Sequence, residues 1–391
     1  MSEPSRITQH KNLVILAFSL VVVMLGFGMV IPILPFYIER MGAGGSAFGL
    51  LVAIAALTEL LFGPLWGSLS DRTGRKPILM IGMFGYGLSM LLFGLSTHLW
   101  MLFASRALSG VLSSATLAPA MAYIGDSTAQ HERGGGMGTL GAAAGLGVIL
   151  GPALGGLLAG GSLSTPFFIA AGISMVALLL IGLLLPESLP RQARKPGRRV
   201  GMLSLRQLGE AVRSPIGVLL LLAFLATVGT TNFESIFSLY AVEALDYGPE
   251  RIGAMLTVIG VVAMIGRGVL TGLLTRRWGE PIVIQCALLA GAVTFVLLWL
   301  ARSYLAVLLT AGLFVLITAF LRPAILSLTS QQATVGQGTA MGLSNSFVSL
   351  GRVVGPIWAG TVFEVRPVYP YLSGAVILLG VFLLSLRWIK R

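Results

Sequence analysis

The sequence predicts an all-α membrane protein: twelve transmembrane helices in two six-helix pseudo-repeats. Three observations support this. Apolar residues make up 56% of the 391-residue chain and charged ones only 10%, whereas soluble domains run near 45–50% apolar and about 25% charged. The mean hydropathy is +0.92, and apolar runs long enough to cross a hydrocarbon layer of about 30 Å recur along the chain. Landmarks of the first half also return in the second at a nearly constant offset.

The spans are expected in order near 13–38, 47–69, 77–96, 99–125, 135–160 and 165–185, then 215–243, 250–275, 281–301, 303–329, 337–363 and 369–388. Span 1 is too long for the apolar core of a secretory leader and lacks a small-residue cleavage site. Spans 2 and 3 flank a polar hinge, Gly67 to Pro77, which places Asp71 beside Arg72, Arg75 and Lys76. Span 4 carries Arg106 and Tyr123 and ends at Asp126. Span 5 is rich in small residues, with Gly147, Gly151, Gly155 and Gly156 about a turn apart, and such residues let helices approach closely. Its Pro152 removes a helix hydrogen bond and favours a kink. Span 6 ends at Pro186.

The longest connection, residues 186–214, is strongly basic: Arg191, Arg194, Lys195, Arg198, Arg199, Arg206 and Arg213 face only Glu187 and Glu210. It is expected to be a cytoplasmic linker drawn to anionic headgroups. It divides an N-terminal bundle, 1–185, from a C-terminal bundle, 215–391.

The second half repeats the first. Gly151-Pro152 recurs as Gly355-Pro356 and Gly49 as Gly253, both 204 residues on, and the hinge recurs from Gly272 to Gly279, 205 residues on. Arg276 stands there in the place of Asp71. A parallel repeat with a cavity between its halves is the organisation expected of many transporters.

The net charge of +12 would suit nucleic acid only if it formed one surface. Instead the bases gather at the termini (Arg6, Lys11, Arg387, Lys390, Arg391) and in alternate loops, with only Arg40, Arg251, Arg302 and Arg366 opposite. That asymmetry orients a membrane protein with both termini in the cytoplasm. No phosphate-cradling Gly-x-x-x-x-Gly-Lys-Ser/Thr loop is present. His10, His98 and His131 lack metal-ligand spacing, and no catalytic constellation is apparent, so neither enzyme chemistry, metal nor cofactor is expected. The single cysteine, Cys286, excludes an internal disulfide and is read as part of helix packing.

Charges inside spans cost about 2.5–3.5 kcal/mol each on insertion scales and therefore mark cavities or partners. They are Glu59, Arg106, Asp126, Glu234, Arg267, Arg322 and Arg352. Glu234, near the middle of span 7, can take a proton from one side and release it to the other as solvent access changes. Arg267 lies near the cytoplasmic face and is read as snorkelling. Arg106, Arg322 and Arg352 are expected to face a cavity. Met29, Tyr123, Asn232, Phe233, Phe237, Tyr240 and Phe347 are its candidate walls, since Met and aromatic side chains suit a tolerant apolar site.

The hinge pattern Gly-x-Leu-x-Asp-Arg-x-Gly-Arg-Lys resembles the major facilitator superfamily, over the whole chain. Arg106-Ala-Leu-Ser-Gly110 resembles its second motif. Gly147 to Gly156 resembles the motif of its drug:proton antiporter branch, and Gly26 to Pro35 that of the twelve-span members. The run around Glu234 and Leu321-Arg322-Pro323-Ala324 are most similar to Gram-positive multidrug (quinolone) efflux antiporters. The resemblance implies a cytoplasmic gate built from Gly67, Asp71, Arg72, Gly74, Arg75, Lys76 and Asp126, with Arg75 paired to Asp126 and Asp71 latching onto the second half near span 11 in one state. It implies a monomeric proton-coupled exporter of amphiphilic, often cationic, compounds in a bacterial inner membrane, with Glu234 as coupling acid. That subgroup carries an acid three residues before the span-10 arginine, where this chain has Ala319, so if coupling needs two acids Glu59 or Asp126 supplies the second, and otherwise fewer protons move per cycle. The buried arginines suit an anionic or polyol metabolite instead, and a non-transporting receptor or membrane enzyme on the same scaffold is the remote alternative.

Overall fold

The computed structural model describes residues 6–128, 132–194, 205–333 and 336–388. Among them, twelve helices are long and apolar enough to cross a membrane. Spans 1–6 are His10–Arg40, Gly45–Thr73, Arg75–Gly94, Leu99–Ser127, Arg133–Ala159 and Thr165–Leu184. Spans 7–12 are Gly217–Glu243, Pro249–Trp278, Glu280–Leu300, Tyr304–Gln331, Gln337–Val365 and Tyr369–Trp388. His131, Lys195, Arg198, Arg199, Lys390 and Arg391 lie outside the described residues.

The hinge departs most from expectation. Span 2 continues as helix to Thr73 and span 3 begins at Arg75, so a single residue, Gly74, makes the turn. It can do so because its φ is 113°, a conformation costly for any side chain. Gly279, 205 positions later, repeats the device with φ 78° between Trp278 and Glu280.

Two spans of the second half are interrupted. Span 8 contains a π-helical turn, Gly266–Leu270. Span 10 loses regular helical hydrogen bonding between Thr318 and Leu321, although Ala319 and Phe320 keep helical dihedrals. Pro323 accounts for that break, because proline offers no N–H to the carbonyl four residues earlier, that of Ala319, and its ring crowds it.

The chain forms two compact units. One comprises Met1–Met41, Leu57–Met202 and Pro249–Thr257; the other Gly42–Ala56, Leu203–Gly248 and Val258–Arg391. The outer turns of span 2 and the first turns of span 8 thus each join the unit formed mainly by the other sequence half. Within the first unit span 1 packs on span 5, and span 3 on spans 4 and 6. Within the second, span 7 packs on span 11, and span 9 on spans 10 and 12. The same pairing recurs six spans later, as a duplication requires.

Span 5 meets span 1 backbone to backbone. A Cβ on Gly151 would overlap the Leu25 carbonyl oxygen, and one on Gly155 would lie 2.8 Å from Met29 Cα. Gly156 instead faces Pro249 and Gly253 at the start of span 8. Large apolar side chains such as Leu157, Val176 and Leu183 are exposed on the outer faces, as lipid contact demands. Cys286, expected in helix packing, is exposed on span 9.

The linker contributes a short helix, Leu205–Val212. Ala211 joins Ile216, Leu220, Ala340 and Phe347 in one apolar cluster. Phe347, expected on a cavity wall, is therefore a core residue that helps dock the linker helix.

Candidate functional site

The residues expected to form the cytoplasmic gate centre on Arg75. Placed in the first turn of span 3 by the turn at Gly74, its side chain is only 9% exposed, so its charge has to be met by protein groups. Nε donates to Asp126 Oδ2 at 2.8 Å, and Nη1 donates to Asp71 Oδ1 at 2.5 Å and to Ser70 Oγ at 3.0 Å. Span 4 supplies Asp126 and the end of span 2 supplies Asp71 and Ser70, so one guanidinium ties three helices together. Lys76 Nζ donates to the Gly182 carbonyl at 2.7 Å, placing a cation at the C-terminal end of span 6, where the helix dipole favours it.

Glu187 completes this gate, although its sequence position suggested only a linker acid. Its Oε1 accepts from the Arg75 backbone N–H at 2.8 Å and the Leu189 N–H at 3.1 Å, and Oε2 accepts from the Lys76 N–H at 3.3 Å. It thus satisfies the first N–H groups of span 3, which no helical carbonyl can reach. The signal was an acid directly after a span, but its partner lies more than 100 residues away. Tyr123, expected as a cavity wall, instead donates its hydroxyl to the Pro186 carbonyl at 2.8 Å and anchors the same segment. Arg72 is exposed, and Gly67 has open space where a side chain would stand, so neither contributes a contact to the gate.

The second unit contains a cavity between spans 7, 8, 10 and 11, with about 930 Å³ of empty space including its open mouth. Helical spacing explains its lining. Thr227, Thr230 and Glu234 stand on one face of span 7, and Ser344, Val348 and Arg352 on one face of span 11. Arg322 enters from span 10 just past the break at Ala319, and Arg267 from the π turn of span 8. Four charged side chains therefore meet in one place. Arg267 and Arg352 act on Arg322 as like charges and Glu234 as the opposite one. Among the described residues none of the four forms an ion pair with another.

Arg267, read from the sequence as snorkelling, lines this cavity. A π turn carries one more residue than an α turn and is frequently found at functional sites. Sequence periodicity assumes an unbroken helix and could not anticipate it. Ala319 also lines the cavity, presenting a methyl group where the resemblance leads one to expect a carboxylate.

Several expected wall residues lie instead in the packed core. Phe233 and Phe237 are buried, with ring centroids 4.9 Å apart, and Phe233 lies 5.0 Å from Phe314. Tyr240 stands edge-on to Tyr371 at 4.8 Å. Asn232 is fully buried and donates to the Val228 carbonyl at 2.8 Å. These side chains project from the faces of span 7 that meet its neighbours, so packing claims them. In the first unit Met29 is buried against Gly155 and Arg106 is buried beside Tyr86. Glu59 is exposed on span 2.

The sequence profile of the Major Facilitator Superfamily matches residues 16–356 and 219–391. The chain belongs to the major facilitator superfamily. Multidrug resistance protein 2 of Bacillus subtilis is 33% identical over 390 residues, covering 98% of this chain and 97% of that protein. Quinolone resistance protein NorA of Staphylococcus aureus is 30% identical over 383 residues, 97% of each chain. Among solved structures, a bacterial homologue of the human lysosomal transporter Spinster superimposes with a TM-score of 0.81 at 14% identity, over 99% of this chain and 98% of that one.

This superfamily member is thus a multi-pass protein of the plasma membrane. Its second hinge shows how the two copies have diverged. The positions 205 residues after Arg75 and Asp126 are Glu280 and Gln331. Glu280 Oε1 accepts from Gln331 Nε2 at 2.9 Å and from Ser327 Oγ at 2.8 Å. The contact survives duplication, but a carboxylate held by neutral donors replaces the ion pair.

Proposed function

We propose that this protein is a proton-coupled exporter that moves amphiphilic small molecules, lipophilic cations included, out of the cell. The relatives' names, multidrug resistance and quinolone resistance, support drugs as the substrate class. The observation that carries the reading is Glu234, the one carboxylate in the cavity of the second unit. It is exposed there and bound to no arginine, so it is free to exchange a proton or meet a cation.

The proposed cycle is alternating access by the six-helix halves 1–185 and 215–391, joined by 186–214, with both termini in the cytoplasm. Ionised Glu234 attracts a cationic substrate; its protonation removes that attraction and leaves three guanidinium groups to repel the cation. At an effective dielectric of about 20, two like charges roughly 8 Å apart repel by about 2 kcal/mol, enough to shift an affinity more than tenfold. Proton and substrate then favour different states, which is the thermodynamic requirement for coupling. Asp71, Arg75, Asp126 and Glu187 serve the cytoplasmic gate. No covalent chemistry is involved.

The test is efflux from proteoliposomes under an imposed pH gradient. The wild-type protein should move a cationic dye against its gradient, and Glu234→Gln should abolish proton-driven movement while retaining the wild-type thermal midpoint. Undiminished proton-driven efflux by that variant would remove Glu234 from the mechanism.

A further inference from the structure

The charge of the cavity is unbalanced. Three guanidinium groups, Arg267, Arg322 and Arg352, surround a single carboxylate, Glu234, so the net charge is +2 with Glu234 ionised and +3 with it protonated. They come from three different spans, 8, 10 and 11, and Arg267 lies in the π turn of span 8. Arg267, Arg322 and Arg352 are exposed to the cavity, and among the described residues its one acid forms an ion pair with none of them. Arrays of guanidinium groups with free donors match planar oxyanions, which they hold by paired charge-assisted hydrogen bonds.

The rest of the lining bears on the polarity of the ligand. Ala226, Val315, Ile325, Leu326 and Val348 add apolar surface to the lining beside the charged groups, the mixed character of a site for amphiphilic molecules. An inorganic anion would leave that surface bare. An anionic group on an apolar body would use both parts.

We propose that the cavity of the second unit binds amphiphilic monocarboxylates, with the carboxylate held among Arg267, Arg322 and Arg352 and the apolar body against the apolar part of the lining. This deepens the exporter reading, on which it rests for the identity of the site, by adding organic anions to the substrates. Glu234 then acts in opposite directions on the two classes: its negative charge attracts a cation and opposes a carboxylate.

Three probes of one shape and different charge test the proposal: 1-pyrenebutyrate, the neutral 1-pyrenebutanamide and the cationic 1-pyrenebutylamine. Their affinities are measured on the full chain in phosphatidylcholine nanodiscs, with empty nanodiscs as the reference for lipid partitioning. Wild-type protein should bind the carboxylate about tenfold or more tightly than the amide, the effect of charge-assisted bonding. Arg352→Gln should collapse that ratio towards one, and Glu234→Gln should widen it. The wild-type ratio needs no variant, so a misfolded mutant does not obscure the answer.

Carboxylate and amide binding within twofold of each other in the wild type overturns the proposal. So does an unchanged ratio in Arg352→Gln protein that keeps the wild-type thermal midpoint. If the wild type drives proton-coupled efflux of the cationic probe yet shows no carboxylate preference, the anion site fails and the exporter reading stands. If the carboxylate preference is present without proton-driven movement of the cation, the coupling reading fails and the anion site stands.

Discussion

At the scale of single residues, the two sites differ in how their charges are met. In the proposed gate the central charges have partners: Arg75 is satisfied by Asp71, Asp126 and Ser70, and Glu187 by three backbone N–H groups. In the cavity the charges are left open. A group committed to a structural bond cannot also exchange a ligand, so pairing suits a latch and its absence suits a binding site. Asp71, Arg75 and Asp126 were legible because charges are rare in this chain and these follow a dense pattern. Glu187 was not, because nothing in a linear sequence links an acid at the end of span 6 to the start of span 3. Removing it with Glu187→Ala should cost about 1 kcal/mol, the usual effect of losing a helix cap, and lower the thermal midpoint. An unchanged midpoint would mean that water replaces the carboxylate without loss.

At the scale of elements, small residues decide which helices touch. The contact of span 5 on span 1 depends on positions where backbone meets backbone, and its copy in the second unit packs Gly351 against Thr227 and Gly355 against Thr231. Gly151→Ala would drive a methyl group into the Leu25 carbonyl and should destabilise the protein by about 1–3 kcal/mol, the usual cost of overpacking. Gly145→Ala, on the same span but beside open space, should be neutral. Unfolding both variants in detergent separates packing from helix propensity, which the two substitutions alter alike. The glycine pattern was readable in advance, but not which glycines face which neighbour. The interruptions of spans 8 and 10 divide in the same way. Pro323 signals a break, while nothing obvious in Gly266–Leu270 announces a π turn.

At the scale of the whole molecule, the distribution of bases predicts that the linker and both termini lie on the cytoplasmic side. In a Cys286→Ala background, a cysteine at Gln192 should react with a membrane-impermeant maleimide only after cells are opened. One at Ser162, in the loop between spans 5 and 6, should react in intact cells. The reverse pattern would invert the topology and with it the direction proposed for transport. The duplication explains why one plan of packing appears in both units. It also shows what selection changed, since the gate's ion pair became Glu280 hydrogen-bonded to Gln331, while the second unit gathered the cavity arginines.

The sequence by itself determined the number of spans, their order, the repeat, the hinge and the presence of costly charges within the membrane. Those properties are local: they follow from the length of apolar runs, the rarity of charge and the spacing of glycines. Only the tertiary structure decided which charges meet. It turned the eleven-residue hinge from Gly67 to Pro77 into a one-residue turn at Gly74. It placed Phe233, Phe237, Tyr240 and Phe347 in the core and brought Arg267 to Glu234. Helix periodicity tells which residues share a face, but not what that face meets, because that depends on how several helices cross. For the same reason the gate was largely readable in advance and the cavity was not: the gate is built around one turn of chain, and the cavity from four separate spans.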